Sequence, residues 1–352
     1  MSLEFDRSDL VMPARKIDMS EVPIIDFAPF LHGGPAEAAR VAAAIADACE
    51  QIGFFYLVGH GVSPALLDAL FDQTAQFYAL SLDERRKVEV TPQWYRGWMG
   101  PAPVGPSDQG PTRRFEQYRI QEDVSRDDDE GDYGVFYRPN RWPEKAPYLR
   151  AVSNTYFGAM SSLGSRLLEA FALGLGLPKD RFKRYFTRPP SQLSLLYYIA
   201  LSPEDHADIA RQSAPSHTDE SPFTILAQKT VGGLEIKHRD GRWISAPPID
   251  GAFTINIGDM LMWWSNGRYL SNYHRVRNTS PGERYSIPFF MNPDPDVVIE
   301  PLAELVATQG AVRYPPVNVG THLTRFYSSL EKTKTIGSLP GRERNGGDRQ
   351  PC

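Results

Sequence analysis

His217-Thr218-Asp219 is the first place in this 352-residue chain where residue types and spacing could do chemistry. In a strand, residues two apart project to the same face. An imidazole and a carboxylate there can reach one cation from one strand end. A second imidazole from a later strand would complete a facial set of three donors. Such a set leaves coordination positions open, as iron(II) oxygenases require. His-x-Asp alone is a weak signal, and His274 is the best third donor: it follows the turn Asn266-Gly267 and leads into Val276. The remaining histidines sit in poorer places. His32 precedes Gly33-Gly34, His60 lies between two glycines, and His206 is in the charged stretch Glu204-Asp205-His206. His238 stands at the hairpin tip Arg239-Asp240-Gly241, and His322 is near the C-terminus. Each of these reads as a structural or surface residue.

Arg284-Tyr285-Ser286 opens the strand after His274. Arg284 and Ser286 share a face, and a guanidinium beside a hydroxyl can bind a carboxylate through charge-assisted, two-pronged hydrogen bonds. The competing reading pairs Arg284 with its neighbour Glu283.

The elements that must position these groups change character along the chain. Val22 to Phe27 reads as a short strand. Pro35 to Ile52 reads as a helix, with Val41, Ile45, Cys49 and Ile52 on one face and Gly53 as its stop. Phe54 to Val58 is a buried strand by its aromatic and β-branched content. Ser63 to Leu80 is a second helix, and Ser81 to Glu84 has the pattern of a capping box. Gly97 to Pro111, rich in Gly and Pro, reads as an ordered or lid loop. Asp127 to Asp132 reads as a solvated acidic loop. Pro147 to Leu177 carries a long helical pattern with Val152, Leu163, Leu167, Phe171 and Leu175 inward.

After Pro190 short strands follow one another: Leu193–Leu201, Phe223–Gln228, Leu234–Lys237, Arg242–Ser245, Phe253–Ile257, Met260–Trp264, His274–Arg277 and Ser286–Met291. Turn signals such as Gly232-Gly233 and Asp240-Gly241 separate them. That punctuation points to a barrel or jelly roll. Leu302–Gln309 and Gly320–Leu330 return to helical patterns.

Bulk properties exclude some classes. A net charge of −5 with 23% charged residues argues against a nucleic-acid or anionic-membrane surface. No stretch approaches the roughly 20 apolar residues of a membrane span, and Met1 to Ser20 lacks a signal-peptide core. Two cysteines, Cys49 and Cys352, make no disulfide framework, so a reducing, cytoplasmic setting is expected. Asn278-Thr279-Ser280 matches a glycosylation acceptor but lacks that secretory context. Gly174-x-Gly176 has no third glycine at Lys179, so it is no dinucleotide fingerprint. A P-loop, a CxxC pair and a Gly-x-Ser-x-Gly elbow are also absent from the sequence.

The set His217-x-Asp219, His274 and Arg284-x-Ser286 resembles the iron(II)/2-oxoglutarate-dependent dioxygenases. In particular it resembles the branch of isopenicillin N synthase, the plant flavonoid and gibberellin oxygenases and their bacterial relatives. The spacing matches, with 54 residues between Asp219 and His274 and nine between His274 and Arg284. Val22-Pro-Ile-Ile-Asp26, Gly53 to Gly61, Gly232-Gly-Leu-Glu-Ile236, Trp243, Ile255 to Asp259, Ser265 to Tyr269 and His274-Arg-Val276 are similar to that family too.

The resemblance implies a mixed α+β fold, with a double-stranded β-helix (jelly-roll) core flanked by N-terminal and C-terminal helices. Residues 22–140 would be the N-terminal region, 190–295 the core that binds iron and 2-oxoglutarate, and 296–352 the C-terminal helices and tail, all in one unit. It implies that His217, Asp219 and His274 ligate Fe(II). Arg284 and Ser286 would hold the distal carboxylate of 2-oxoglutarate, and Tyr198 would contact that co-substrate. This chain departs from many plant members there, with Leu196 for Asn and Ile199 for Pro. With O2 as the oxidant, a small-molecule substrate would be hydroxylated, desaturated or cyclised, releasing succinate and carbon dioxide. The carboxylate of Asp219 argues against halogenation, for which related enzymes substitute a small residue. Phe290, Phe115, Tyr118, Trp94 and Arg96 are the candidate substrate contacts. Two alternatives stand beside this reading: an isopenicillin N synthase-like iron oxidase without 2-oxoglutarate, and a non-catalytic jelly-roll binding protein.

Overall fold

The computed structural model describes residues 21–91, 93–103, 112–113, 115–124, 133–200, 213–277 and 282–332. The acidic run 127–132, His206, the acceptor 278–280 and Cys352 lie outside these. The strands in chain order are β1 (Ile24–Asp26), β2 (Phe54–Val58), β3 (Gly97–Met99), β4 (Ala102–Pro103), β5 (Thr112–Arg113), β6 (Phe115–Ile120), β7 (Gln192–Tyr198) and β8 (Ser213–His217). Then come β9 (Phe223–Gln228), β10 (Leu234–Lys237), β11 (Trp243–Ser245), β12 (Phe253–Ile257), β13 (His274–Arg277), β14 (Arg284–Met291), β15 (Val298–Ile299) and β16 (Val317–Asn318).

Eight strands form the main sheet, in the order β1-β2-β12-β9-β14-β7-β6-β3, and four form a second, β11-β10-β13-β8. Strands from the first 140 residues are woven into the main sheet: β2 pairs with β12, and β6 pairs with β7. This two-sheet arrangement with flanking helices is the double-stranded β-helix expected from the sequence.

Period-2 alternation decides what each strand shows to each side. In β12, Phe253, Ile255 and Ile257 are buried in the larger apolar layer, and in β14 so are Ile287, Phe289 and Met291. That layer packs against helices Pro35–Gln51, Pro64–Ala79 and Pro147–Gly174, through Ile45, Phe77, Leu167 and Phe171 among others. Burying each such side chain is worth about 1.5–3 kcal/mol. The opposite face of the main sheet meets the second sheet. There Phe54, Tyr56 and Tyr198 cluster with Leu234, Ile236, Ile244 and Val276. Polar residues on this inner face, such as Thr254 and Asn256, therefore point between the sheets.

The N-terminal helix ends where the sequence places its stop. Gly53 has φ +73°, and a Cβ there would lie 2.1 Å from the Leu270 carbonyl oxygen, so only glycine fits. Ser81 Oγ accepts from the Glu84 backbone N–H, as the capping pattern predicts.

Two expectations need correction, and one strand was not foreseen. Met260–Trp264 is not a strand but the body of a helix, Asp259–Trp264. An apolar run this short fits either period. Here Met260 and Trp264, four apart, are both buried, and the Asp259 backbone N–H donates to the Asp219 carbonyl. The Gly/Pro-rich loop begins with strand β3, whose Gly97, Trp98 and Met99 are all buried. Its far part, 104–111, lies outside the described residues. Strand β6 had no counterpart in the sequence reading. The last helix spans Val319–Lys332. Among the described residues, no helix is long and apolar enough to cross a membrane.

Candidate metal centre

His217 is the last residue of β8, and His274 the first of β13. The two are direct partners in the antiparallel register, and their ring centroids are 4.3 Å apart. Asp219 lies just past the end of β8, so it reaches the same point from the turn rather than from the strand. Its Oδ1 is 3.8 Å from His217 Nε2 and 3.7 Å from His274 Nε2. Those separations are too long for hydrogen bonds. The three donor atoms lie within 4.8 Å of one another, and this is the one such group among the described residues.

The surroundings orient each donor. Asp219 Oδ2 accepts from Asn256 Nδ2 at 2.7 Å and Thr224 Oγ1 at 2.5 Å, which leaves Oδ1 turned to the two imidazoles. His274 Nδ1 is 3.3 Å from the Asn272 carbonyl. As the N–H donor there, it presents the Nε2 lone pair to the centre, a common device for metal-bound histidines. Burial pushes the His274 pKa down to about 4, and His217 adds to this against the opposing pull of Asp219. Burial resists charge on Asp219, but the two histidines, Thr224 and Asn256 together hold its carboxyl below its ordinary value. A carboxylate beside a neutral imidazole is the protonation state a divalent cation needs. His274 and Asp219 are buried, whereas the His217 side chain is 46% exposed, so the centre opens to one side. Two nitrogens and one oxygen with an open side fit iron(II) with free coordination positions.

Arg284 lies deeper between the sheets, 1% exposed. Its Nε donates to the Gly232 carbonyl at 2.9 Å, Nη1 to Ser286 Oγ at 3.3 Å and Nη2 to Gln228 Oε1 at 3.1 Å. Tyr198 is its direct cross-strand partner, with the guanidinium carbon 4.5 Å from the ring centroid. Glu283 instead accepts from the hydroxyls of Tyr197 and Tyr285, so the competing local pairing is not formed. Among the described residues Arg284 has no carboxylate partner.

The candidate substrate contacts divide. Phe115 pairs with Tyr198 across β6 and β7, rings 5.3 Å apart, on the inner face. Phe290 is half-buried on that face too, with Thr224 on one side and Gln192 on the other. Tyr118 has the opposite parity: it packs on Phe77 and Trp142 in the helix-side core, and its hydroxyl donates to the Arg141 carbonyl. Its expected substrate role is therefore corrected to a packing one. Arg96 donates to Gln121 and to the carbonyls of Glu122 and Phe136. Trp94 donates to the Pro139 carbonyl and lies under Arg138. Both brace the edge beside β3, where the sequence suggested a pocket wall. Sequence reasoning missed Thr224, Asn256 and Gln228. The available signal was a polar residue inside an apolar strand, as in Phe-Thr-Ile-Asn-Ile.

Two imidazoles and one carboxylate that converge in a two-sheet jelly roll, with a buried arginine on the inner face of the main sheet, fit a mononuclear non-haem iron oxygenase. Residues 190–293 match the model of the 2OG-Fe(II) oxygenase superfamily. Residues 22–145 match the model described as the N-terminal region of non-haem dioxygenase in morphine synthesis. The chain is 31% identical over 324 residues to the homoarginine-6-hydroxylase 2-ODD-233 of Oryza sativa, covering 88% of this chain and 97% of the relative. It superposes on a full-length Neurospora crassa protein, solved in complex with α-ketoglutarate and thymine, with TM-score 0.80 at 27% identity, covering 89% of this chain and 99% of that one. For JOX2 in complex with 2OG, Fe and JA the TM-score is 0.75 at 28% identity, covering 94% and 92%. The chain belongs to the 2-oxoglutarate- and iron(II)-dependent oxygenase superfamily. It is an oxidoreductase that uses iron(II), 2-oxoglutarate and O2, and these relatives favour neither the oxidase nor the binding-module alternative.

Proposed function

We propose that His217, Asp219 and His274 are the iron ligands of this oxygenase, and that Arg284, Ser286, Gln228 and Tyr198 form the seat for the distal carboxylate of 2-oxoglutarate. The observation that carries this reading is Arg284: a buried guanidinium without a carboxylate partner among the described residues, on the sheet face that also carries the partners of Asp219. A buried charge needs a counter-charge, and a dicarboxylate supplies one. When bound, iron with 2-oxoglutarate and O2 supplies the oxidising equivalent that attacks a C–H bond. The protein holds the co-substrate at Arg284 and keeps Asp219 ionised and His274 neutral. Its apolar cluster around Phe54, Tyr56 and Leu234 excludes water from the inner end.

The substrate in this proposal is a small molecule packed against Phe290 and Phe115, and its reaction is hydroxylation, desaturation or ring closure. Relatives of this chain are named for small molecules, homoarginine and thymine, which supports that substrate class. A cytoplasmic setting accords with Cys49 being a buried free thiol. The test is anaerobic titration of the protein with iron(II) and 2-oxoglutarate, followed by succinate measurement in air. A weak visible band that disappears in His217→Ala, and succinate formation in the wild type, are expected. A band unchanged in His217→Ala would overturn the ligand assignment.

A further inference from the structure

The inner face of β6 and β7 continues the site away from the iron ligands, and it is polar where a barrel interior is usually apolar. Strand register places its members. Thr224, which donates to Asp219, pairs with Phe290, and Phe290 pairs with Gln192. One pair further along β7, Ser194 faces Arg119 of β6, and Leu196 faces Gln117. Gln117 Nε2 donates to Ser194 Oγ at 2.8 Å, and Gln192 Nε2 donates to the same oxygen at 3.0 Å. Tyr327 of the C-terminal helix closes over this wall: its hydroxyl donates to Gln192 Oε1 at 3.0 Å, and the Arg119 guanidinium carbon is 5.4 Å from its ring. Arg119 is 3% exposed, with Nη2 4.0 Å from Met99 Sδ. Gln117, Gln192, Ser194 and Tyr327 are buried as well.

A second arginine thus stands on the inner face, two strands from Phe290. At about 4.8 Å per strand, that is roughly 10 Å between backbones, the span of one ring or a short chain. Arg284, on β14, is set apart from it by β7 and by the length of β6 from Phe115 to Arg119, and it has its own partners. Tyr327 ties the wall to the last helix, which also touches the metal end: His322 contacts Glu220, the residue after Asp219.

Building on the oxygenase reading, we infer that Arg119, with the amides of Gln117 and Gln192, forms a substrate subsite that takes a carboxylate. The substrate is a small carboxylic acid whose anionic end lies at β6 and whose body crosses Phe290 toward the iron centre. Arg119 is its specificity-determining residue.

The purified protein, with iron(II), 2-oxoglutarate and ascorbate in air, is challenged with a library of small carboxylic acids, each paired with its methyl ester. The readout is succinate above the substrate-free rate. Acids should stimulate it and their esters should not. Arg119→Gln should lower kcat/KM for the best acid at least about 30-fold, the scale for truncating one partner of a buried charge pair, and bring the acid-to-ester ratio toward one. Arg119→Lys should restore part of that ratio. Gln192→Glu, which sets a negative charge in the subsite, should reject acids and admit esters. The visible band of the iron–2-oxoglutarate complex reports whether each variant is folded. The inference is overturned if esters match acids in the wild type, or if no acid stimulates while substrate-free turnover is present. Equal loss of acid and ester turnover in Arg119→Gln, the mark of a purely structural arginine, also overturns it. Absence of any 2-oxoglutarate turnover would instead sink the oxygenase assignment on which it rests.

Discussion

His274 faces His217 directly across the β8–β13 pairing, with ring centroids 4.3 Å apart. The register of one antiparallel pair therefore sets the spacing of two of the three donors. The pairing is irregular just beyond, between His274 and Val276. Bulges of this kind commonly re-aim side chains next to active sites. A slip of one residue would turn either imidazole to the far face.

Asn256 and Thr224 hold the third donor in place by occupying Asp219 Oδ2. Asn256→Ala or Thr224→Val should weaken iron(II) binding by roughly 10–100-fold, the scale for partners of metal ligands. Anaerobic titration would show it, and unchanged affinity would mean that Asp219 is oriented by something else.

Arg284→Ala removes the charge expected to meet the distal carboxylate. The loss should be about 2–5 kcal/mol of 2-oxoglutarate binding, seen as a KM for 2-oxoglutarate raised at least about 30-fold. Iron affinity without co-substrate should stay near that of the wild type. A change confined to iron binding would contradict the proposed division of labour.

Phe290 and Tyr118 make a pair of opposite tests, because they lie on opposite faces of one sheet. Phe290→Ala should lower kcat/KM for the substrate with little change in thermal midpoint. Tyr118→Phe loses only a hydrogen bond to Arg141, so it should cost about 1 kcal/mol of stability and leave substrate preference intact. The reverse pattern would mean that the sheet parity had been misread.

His60 supplies a pH prediction away from the metal. Its Nε2 is 3.2 Å from the Gly251 carbonyl, and its Nδ1 accepts from the Val62 backbone N–H at 3.1 Å. That pair of contacts fits the neutral ring, and burial lowers its pKa from the usual 6.5 against the pull of the Gly251 carbonyl. The unfolded chain thus takes up this proton at higher pH than the folded one. The stabilising contribution is complete above about 6.5 and declines as pH falls through the lowered folded value. Denaturant midpoints between pH 7.5 and 5 should fall less steeply in His60→Gln than in the wild type. Identical slopes would rule His60 out as a contributor.

Much of this was legible in the residues. Helices Pro35–Gln51, Pro64–Ala79 and Pro147–Gly174 announce themselves through long 3.6-residue apolar periods, and β9, β12 and β14 through alternation or apolar runs bounded by turns. The spacing from His217-x-Asp219 to His274 and to Arg284-x-Ser286 matches that of the iron(II)/2-oxoglutarate-dependent dioxygenases, and it is that resemblance that implies iron and a carboxylate-bearing co-substrate. Met260–Trp264 was misread because five apolar residues satisfy a strand and a helix equally, and only contact with the Asp219 turn decides between them. Tyr118 shows a related limit: closeness in sequence to Phe115 says nothing about which face of β6 a side chain takes, and Tyr118 takes the helix-side one. Tertiary structure alone decided that Asn256 and Thr224 serve Asp219, that Gln228 serves Arg284, and that Arg119 shares an inner face with Phe290. Asn256 and Asp219, Gln228 and Arg284, and Arg119 and Phe290 lie tens of positions apart or more, and Thr224, only five residues from Asp219, reaches it across the turn from β8 to β9. Their encounter is fixed by inter-strand register rather than by any local pattern. What the sequence determined by itself was the candidate set of three iron donors and the arginine. What the fold decided was how those donors are oriented, and which polar wall a substrate meets beside them.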